Sequence, residues 1–388
     1  MRIVLEVVFW LSCGLIVWTQ AGYALALVLL ARVLGAPRSA PTIVTGTDRA
    51  PSPEPPRLSL IVAAHDEEGV IATRVANALA LDYPRDRLEL IVACDGCADA
   101  TGARAREAGA DLVLELPRGG KIRAQDAAVE RAGGEIVAFS DANSFWEADA
   151  ARALVAAFAD PRVGYACGQV RFVRGAGESN QEGVYWRYEL SVRALESRLS
   201  SITAGNGAIY ATRRDAYLVV DPIMGHDLSL PFNVVKRGRR AVYVPGARAS
   251  EKMVPSLGGE FARKRRMMSH TWPIVMRGGM LSPRGYPPGY ALMILSHRLL
   301  RYATPGLHLL ALAANVALVL TKAESLYTVT LVGQLALLLA ASLAGIVPLR
   351  PLLIARYYVL TTASLAAGLW DWLRHGTEAA WEAAEGTR

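Results

Sequence analysis

Five short stretches carry residue types and spacings that can do chemistry. Asp141-Ala142-Asn143 closes an apolar run and sets two hard oxygen ligands two residues apart. That spacing suits Mg2+ or Mn2+ together with substrate phosphates and water, and it equally suits a plain turn. In the stretch Asp95–Thr101, Gly96 permits a tight turn, Asp99 or Thr101 can cap the helix that follows, and Asp95 is left to accept hydrogen bonds from a base or ribose. Cys94-x-x-Cys97 has the spacing of a redox pair, but its flanking carboxylates are expected to raise the thiol pKa values, which disfavours that use. Gly119-Gly120-Lys121 precedes a helix and offers backbone N–H groups and an ammonium to a phosphate. It is no P-loop, lacking the spacing and the Ser/Thr, and a solvated turn lysine is the simpler reading. Asp227, in Gly225-His226-Asp227, is a candidate general base and also a candidate N-cap for a helix over 228–236. Arg263-Lys264-Arg265-Arg266 fits a solvated face, a lipid-phosphate contact or a clamp on a departing diphosphate.

Strands that alternate with helices must position these groups. Residues 58–63, 88–93, 111–116 and 135–140 are short apolar runs bounded by polar loops, the pattern of buried strands. Helical stretches reaching residues 80 and 109, and another over 122–132, lie between them. Such βαβ units imply an α/β fold with a mostly parallel sheet. Ligands bind beyond the carboxyl ends of such strands, where the acidic residues at 66–67, 95 and 141 fall.

The remaining chain reads as membrane. Residues 4–34 are almost uninterrupted apolar sequence, longer than a signal-peptide core and without a basic cluster ahead of it, so an uncleaved anchor is expected. Proline at 37, 41, 51, 53, 55 and 56 marks an extended linker. Candidate spans follow at 307–320, 326–347 and 357–372. Arg32, Arg38, Arg350 and Arg356 fall on one side by this reading, so the catalytic domain is expected in the cytoplasm with both termini opposite it. A mean hydropathy of +0.24 and 52% apolar residues agree with lipid contact. The net charge of +7 then points to anionic lipid or a phosphorylated substrate. No basic run with interleaved aromatics forms a nucleic-acid face, so nucleic acid is not expected as a partner. Four scattered cysteines make no disulfide framework, and Cys94, Cys97 and Cys167 suit a reducing compartment.

Taken in order, the motifs resemble the family 2 glycosyltransferases of the GT-A fold, particularly membrane-embedded polysaccharide synthases and ceramide-glucosyltransferase-like enzymes. Ala63-Ala-His-Asp-Glu-Glu68 is similar to the family's Pro-Ala-His-Asn-Glu-Glu, which implies a nucleotide-binding role for Ala63, His65 and Glu67. Cys94–Thr101 is similar to Asp-Asp-Gly-Ser-Thr-Asp-Gly-Thr, which implies that Asp95 contacts the base. Gly120-Lys121 resembles the Gly-Lys near the diphosphate. Phe139–Ser144 resembles the Asp-Ala-Asn metal motif, implying Asp141 and Asn143 as ligands and Mg or Mn as cofactor. Tyr185–Glu189 and Gly205-Asn206-Gly207 resemble the acceptor side. Asp227 matches the second acid of a Glu-Asp pair, the family's base, with His226 in place of the Glu. Arg263 and Arg266 match the donor-binding Gln/Arg-x-x-Arg-Trp, but Met267 stands where the acceptor-lining Trp is expected, and Trp272 is out of register. Ser296–Tyr302 resembles the interfacial segment.

The resemblance implies an anchor over 1–35, a linker over 36–56, a GT-A domain over 57–285, an interfacial segment over 286–304, three spans over 305–375 and a polar tail over 376–388. It implies inverting transfer from a nucleotide sugar, a UDP-sugar in this family, to a growing polysaccharide. Two alternatives stand beside it: single transfer to a glycolipid or polyprenyl-linked acceptor, and a non-catalytic membrane scaffold with a degenerate domain. The implied partners are the nucleotide sugar, a saccharide or lipid-linked acceptor, and membrane lipid.

Overall fold

The computed structural model describes residues 1–35, 54–173, 181–252, 257–321 and 324–379. The four expected apolar runs form β1 (Leu58–Ala64), β2 (Leu88–Asp95), β3 (Leu112–Leu116) and β4 (Ile136–Asp141). They pair in parallel in the order β3-β2-β1-β4. β1 is buried along its whole length, as a strand covered on both faces must be. Its alternate residues serve opposite faces. Leu58, Leu60 and Val62 share a core with Ile71, Val75 and Ala78 of the helix Ile71–Leu79. Ile61, with Ile91, Val137 and Phe139, shares another with Ala124 and Ala128 of the helix Lys121–Arg131. Ala63 pairs with Ala93 on one side and Asp141 on the other, so the carboxyl ends of the central strands lie level.

The second half of the sheet has no counterpart in the sequence reading. β5 (Phe145–Trp146), β6 (Val163–Val173), β7 (Tyr210–Arg213) and β8 (Arg240–Lys252) extend the order to β4-β7-β6-β8-β5. β7 runs antiparallel to β4 and β6, and β8 runs parallel to β6 with two register shifts. The sheet is therefore mixed, with its parallel half carrying the loops that follow β1, β2 and β4.

Four helices among the described residues are long and apolar enough to cross a membrane: Arg2–Val33, Pro288–Leu320, Ser325–Leu343 and Arg350–His375. The second continues back through Pro305, which lengthens the span expected over 307–320. Arg2 pairs with Glu324 at 3.4 Å, which brings the amino terminus beside the turn before Ser325–Leu343. Arg350–His375 instead lies along the helix Leu257–Met276. Lys264 Nζ donates to Tyr357 Oη (2.6 Å), Trp272 Nε1 donates to the Leu365 carbonyl (3.0 Å), and Arg265 makes a two-pronged ion pair with Asp371 (2.6 Å each). Beyond it, Thr377 Oγ1 donates to the Ser269 carbonyl at 2.8 Å. This corrects the expectation that both termini lie opposite the catalytic domain, because the described C-terminal residues rest on that domain. The linker residues 36–53, Arg38 among them, and the tail from 380 onward lie outside the described residues.

A buried ionic cluster joins the domain to the membrane helices. Glu196 accepts from Tyr23 Oη (2.7 Å) and the Thr203 amide (3.0 Å) and meets His297 Nδ1 at 2.7 Å. Glu189 pairs with Arg301 (2.6 Å), Arg298 (3.3 Å) and His297 (3.2 Å). Arg301, Arg298 and His297 hold Glu189 well below the usual carboxylate range against the cost of burial. Two π-helical turns, Trp18–Gly22 and Ile294–Leu299, face each other beside this cluster. A π-turn interrupts the regular carbonyl ladder, and here the Ser296 carbonyl accepts from Thr19 Oγ1 at 2.9 Å.

Candidate active site

The loops after β1 and β2 are laced together by local carboxylates. Asp66, at φ +50°, accepts from the Ala98 amide at 2.8 Å. Asp99 accepts from the Glu68 amide at 3.0 Å, and Glu68 accepts from the Ala100 amide at 3.2 Å. Thr101 Oγ1 accepts from the Glu67 amide at 2.8 Å. His65 Nδ1 lies 2.7 Å from the Asp95 carbonyl. Asp95 itself is 1% exposed. Its Oδ1 accepts from the Gly119 amide (2.6 Å) and the Gly120 amide (3.0 Å), contacts that no local pattern in the sequence announces. In this structure it anchors the Gly119-Gly120 loop. Gly96 and Gly120 both need positive φ, at +61° and +95°. A Cβ on Gly96 would strike the backbone of Arg118, and one on Gly120 would strike the Ala379 carbonyl.

The Cys94–Cys97 pair differs from expectation. Hydrogen bonding to Cys94 pulls the Cys97 thiol down to about 7, while Cys94 is pushed far up. The nearby carboxylates are outweighed at Cys97 because the thiol–thiol contact stabilises its thiolate directly. Cys97, His65 and Asp66 lie together at the rim.

Lys121, Asp141 and Gly207 converge at the end of β4. Lys121 Nζ donates to Asp141 Oδ1 and approaches the Gly207 carbonyl at 3.5 Å. The phosphate-side lysine and the metal-side aspartate expected from sequence are thus brought into contact. Asn143, two residues on, is half-buried. Behind Asp141 sits Arg74, fully buried over the Trp146 ring at 5.7 Å. Its Nε donates to Ser140 Oγ at 3.3 Å. Burial lowers its pKa and the Asp141 carboxylate opposes that.

Sequence reasoning missed Glu251. β5 pairs with β8 through Phe145 and Ser250, which sets Glu251 beside the turn that follows Asp141. Its carboxyl faces Asp141, Lys121 and Arg263, and burial together with Asp141 raises it to about 7. Its Oε1 is sealed from solvent, and the Ser144 hydroxyl hydrogen-bonds the carboxyl. Asp141, Asn143 and Glu251 offer hard oxygens, and a buried carboxylate whose hydrogen-bond donor is neutral suits Mg2+ or Mn2+.

Asp227 lies in the first turn of the helix His226–Lys236, whose N-cap is Gly225. That overturns the reading of Asp227 as an N-cap. Its carbonyl accepts from the Gly205 amide at 2.7 Å. His226 is locked behind it: Nδ1 meets Tyr210 Oη at 2.8 Å and Nε2 meets Tyr217 Oη at 3.4 Å, with Tyr217 donating to Asp126 at 2.5 Å. Burial pulls the His226 pKa down to about 3. Asn206, expected on the acceptor side, is absorbed by its own turn. Its amide donates to the Gly168 carbonyl (2.5 Å) and accepts from the Ile209 amide (2.9 Å). Gly205 is held against Tyr165, where a Cβ would clash with the phenol. Of the basic run, Arg263 faces Glu251 while Lys264 and Arg265 bind the C-terminal helix. Arg266 is exposed. Met267 is 44% exposed, next to Arg263 at 3.5 Å. Trp272 packs against Tyr302, with ring centroids 6.2 Å apart.

Comparison with known proteins agrees with this geometry. The model of the family described as glycosyltransferase-like family 2 matches residues 55–269, more than half of the chain. Beta-monoglucosyldiacylglycerol synthase from Synechocystis is 32% identical over 173 residues, 42% of this chain and 35% of that protein. YdaM from Bacillus subtilis is 30% identical over 132 residues, 32% of this chain and 31% of that protein. The chain thus spans about a third of the length of these curated relatives. A mannosyltransferase from Pyrobaculum calidifontis, solved with GDP-Man and Mn2+, superposes with a TM-score of 0.70 at 23% identity. That match covers 95% of this chain and 99% of the other, and it establishes the shared fold.

Proposed function

The chain belongs to glycosyltransferase-like family 2, and from that premise we propose that it transfers single sugars from a nucleotide sugar to a hydroxyl of a lipid-borne acceptor, with inversion. The observation that carries the choice of acceptor is the fate of the indole. At the position where polysaccharide synthases place a Trp, Met267 faces outward, and Trp272 is committed to Leu365 and Tyr302. Neither Met267 nor Trp272 is therefore placed as an aromatic platform for a growing chain. The membrane helices support the same reading. Asn315 lies 3.0 Å from Thr330 Oγ1 and 3.1 Å from Gln334 Oε1, so the polar groups between these spans serve one another rather than a polysaccharide path. The similarity to a lipid glucosyltransferase points the same way.

In this reading the loops carrying His65, Glu67 and Asp95 receive the nucleoside. Lys121 and Arg263 hold the diphosphate, and Asp141 with Asn143 holds a divalent cation, Mg2+ or Mn2+. The cation supplies charge neutralisation for the leaving diphosphate. Asp227 accepts the proton of the acceptor hydroxyl as its oxygen bonds to the anomeric carbon. The bond from that carbon to the diphosphate oxygen breaks in the same displacement, so one inversion results. Arg32, Arg350 and Arg356 favour a cytoplasmic site.

The test is to incubate the purified protein in detergent with Mn2+, radiolabelled UDP- and GDP-sugars, and membrane lipid extract. Label should enter the organic phase as one discrete glycolipid. Label confined to a water-soluble polymer would overturn the lipid assignment, and no release of nucleoside diphosphate from any donor would overturn transfer itself.

A further inference from the structure

We infer that Glu251 is a further residue of the transfer site, supplying a second carboxylate oxygen to the divalent cation held by Asp141. The inference rests on the metal-dependent reading above and adds a ligand from a different strand.

Three observations lead to it. Pairing of Phe145 with Ser250 places the carboxyl end of β8 against the turn that follows Asp141, more than one hundred residues away in sequence. Glu251 Oε1 is sealed from solvent, and the hydrogen-bond donor beside this carboxyl is the neutral hydroxyl of Ser144. An anionic oxygen in that condition costs several kcal/mol unless a cation reaches it. The two carboxylates also stand in an ordered arrangement of charge: Lys121 is on Asp141, and Arg263 faces Glu251. Arg74, buried behind Asp141, adds a third positive charge. With a divalent cation and a diphosphate bound, Asp141 and Glu251 would hold the metal, leaving Lys121 and Arg263 for the phosphate oxygens. Asp141 and Asn143 alone would offer a single negative charge, and Mg2+ or Mn2+ prefers carboxylate oxygens to amide oxygens.

The experiment measures Mn2+ binding directly, by the loss of the free-ion EPR signal, with UDP or GDP present, for the full-length protein in detergent. Glu251→Gln keeps the shape and removes the charge. It should weaken Mn2+ binding by at least about tenfold, and Asp141→Asn should weaken it further. Glu251→Ala is compared alongside, with thermal unfolding of each variant as the folding control. Wild-type Mn2+ affinity in a folded Glu251→Gln protein, alongside lost affinity in Asp141→Asn, would overturn the assignment of Glu251 and leave the metal site intact. Absence of Mn2+ binding to the wild type with either nucleotide would overturn both.

Discussion

The contact between Lys121 and Asp141 predicts that removing a positive charge will tighten metal binding and loosen nucleotide binding in the same protein. The two side chains are 22% and 24% exposed. A fully exposed ion pair contributes about 0.2–1 kcal/mol, and breaking a buried one costs about 3–5 kcal/mol. A pair with three-quarters of its surface covered falls between, at about 1–2 kcal/mol. In the nucleotide-free protein a cation must displace the ammonium from Asp141 and overcome that energy. Lys121→Met removes the competitor, so Mn2+ affinity without nucleotide should rise by about 5- to 30-fold. With UDP or GDP present the sign reverses for the nucleotide. A charge-assisted hydrogen bond to phosphate, about 1.5–3 kcal/mol, is gone, so nucleotide affinity should fall by about 10- to 150-fold. EPR titration of Mn2+ and calorimetric titration of nucleotide read the two effects separately. Weaker Mn2+ binding in nucleotide-free Lys121→Met would refute the idea that the lysine occupies the cation's position.

Asp227→Asn should cut kcat by about 10²- to 10⁴-fold while leaving the nucleotide Kd within about twofold, because its backbone is held by Gly205 rather than by the carboxylate. Lost nucleotide binding in that variant would remove the base assignment. Glu196→Ala strands Tyr23, Thr203 and His297 in a buried site and should lower unfolding free energy by about 3–5 kcal/mol; a loss below about 1 kcal/mol would show that the cluster does not hold the two halves together. His226 is kept neutral in the folded protein, with its pKa pulled from 6.5 to about 3. Its contribution is therefore complete above pH 6.5 and declines as pH falls towards 3. The stability difference between wild type and His226→Gln should shrink by about 1.4 kcal/mol per pH unit across that window, and a pH-independent difference would exclude a neutral buried imidazole.

The parallel half of the sheet was readable because strands buried on both faces are continuous apolar runs, as in Leu58–Ala64 and Leu88–Asp95. The strand-end acids Asp95 and Asp141 could be located for the same reason. β6 and β8 escaped notice because Gln169, Arg171, Arg248 and Glu251 break their apolar pattern, and pairing with register shifts is a long-range property. Glu251 has no local motif at all; only the pairing of Ser250 with Phe145 brings it to Asp141. Asp95 could be placed, but its use could not, since its partners are amides 24 and 25 residues later. The last helix looked like any apolar span, and its docking depends on contacts such as Arg265–Asp371, 106 residues apart.

The ionic cluster around Glu189 and Glu196 bears on how such a protein can evolve. Its acids belong to the mixed α/β domain, and their counter-charges, Arg298, Arg301 and His297, arrive on one of the long apolar helices. A gene fragment carrying the domain alone would lose both the cations that compensate these acids and the helix face that covers them. Exchange of membrane segments between relatives meets the same obstacle unless both sets change together. The unit that can be duplicated or swapped is therefore the domain with its first two membrane helices.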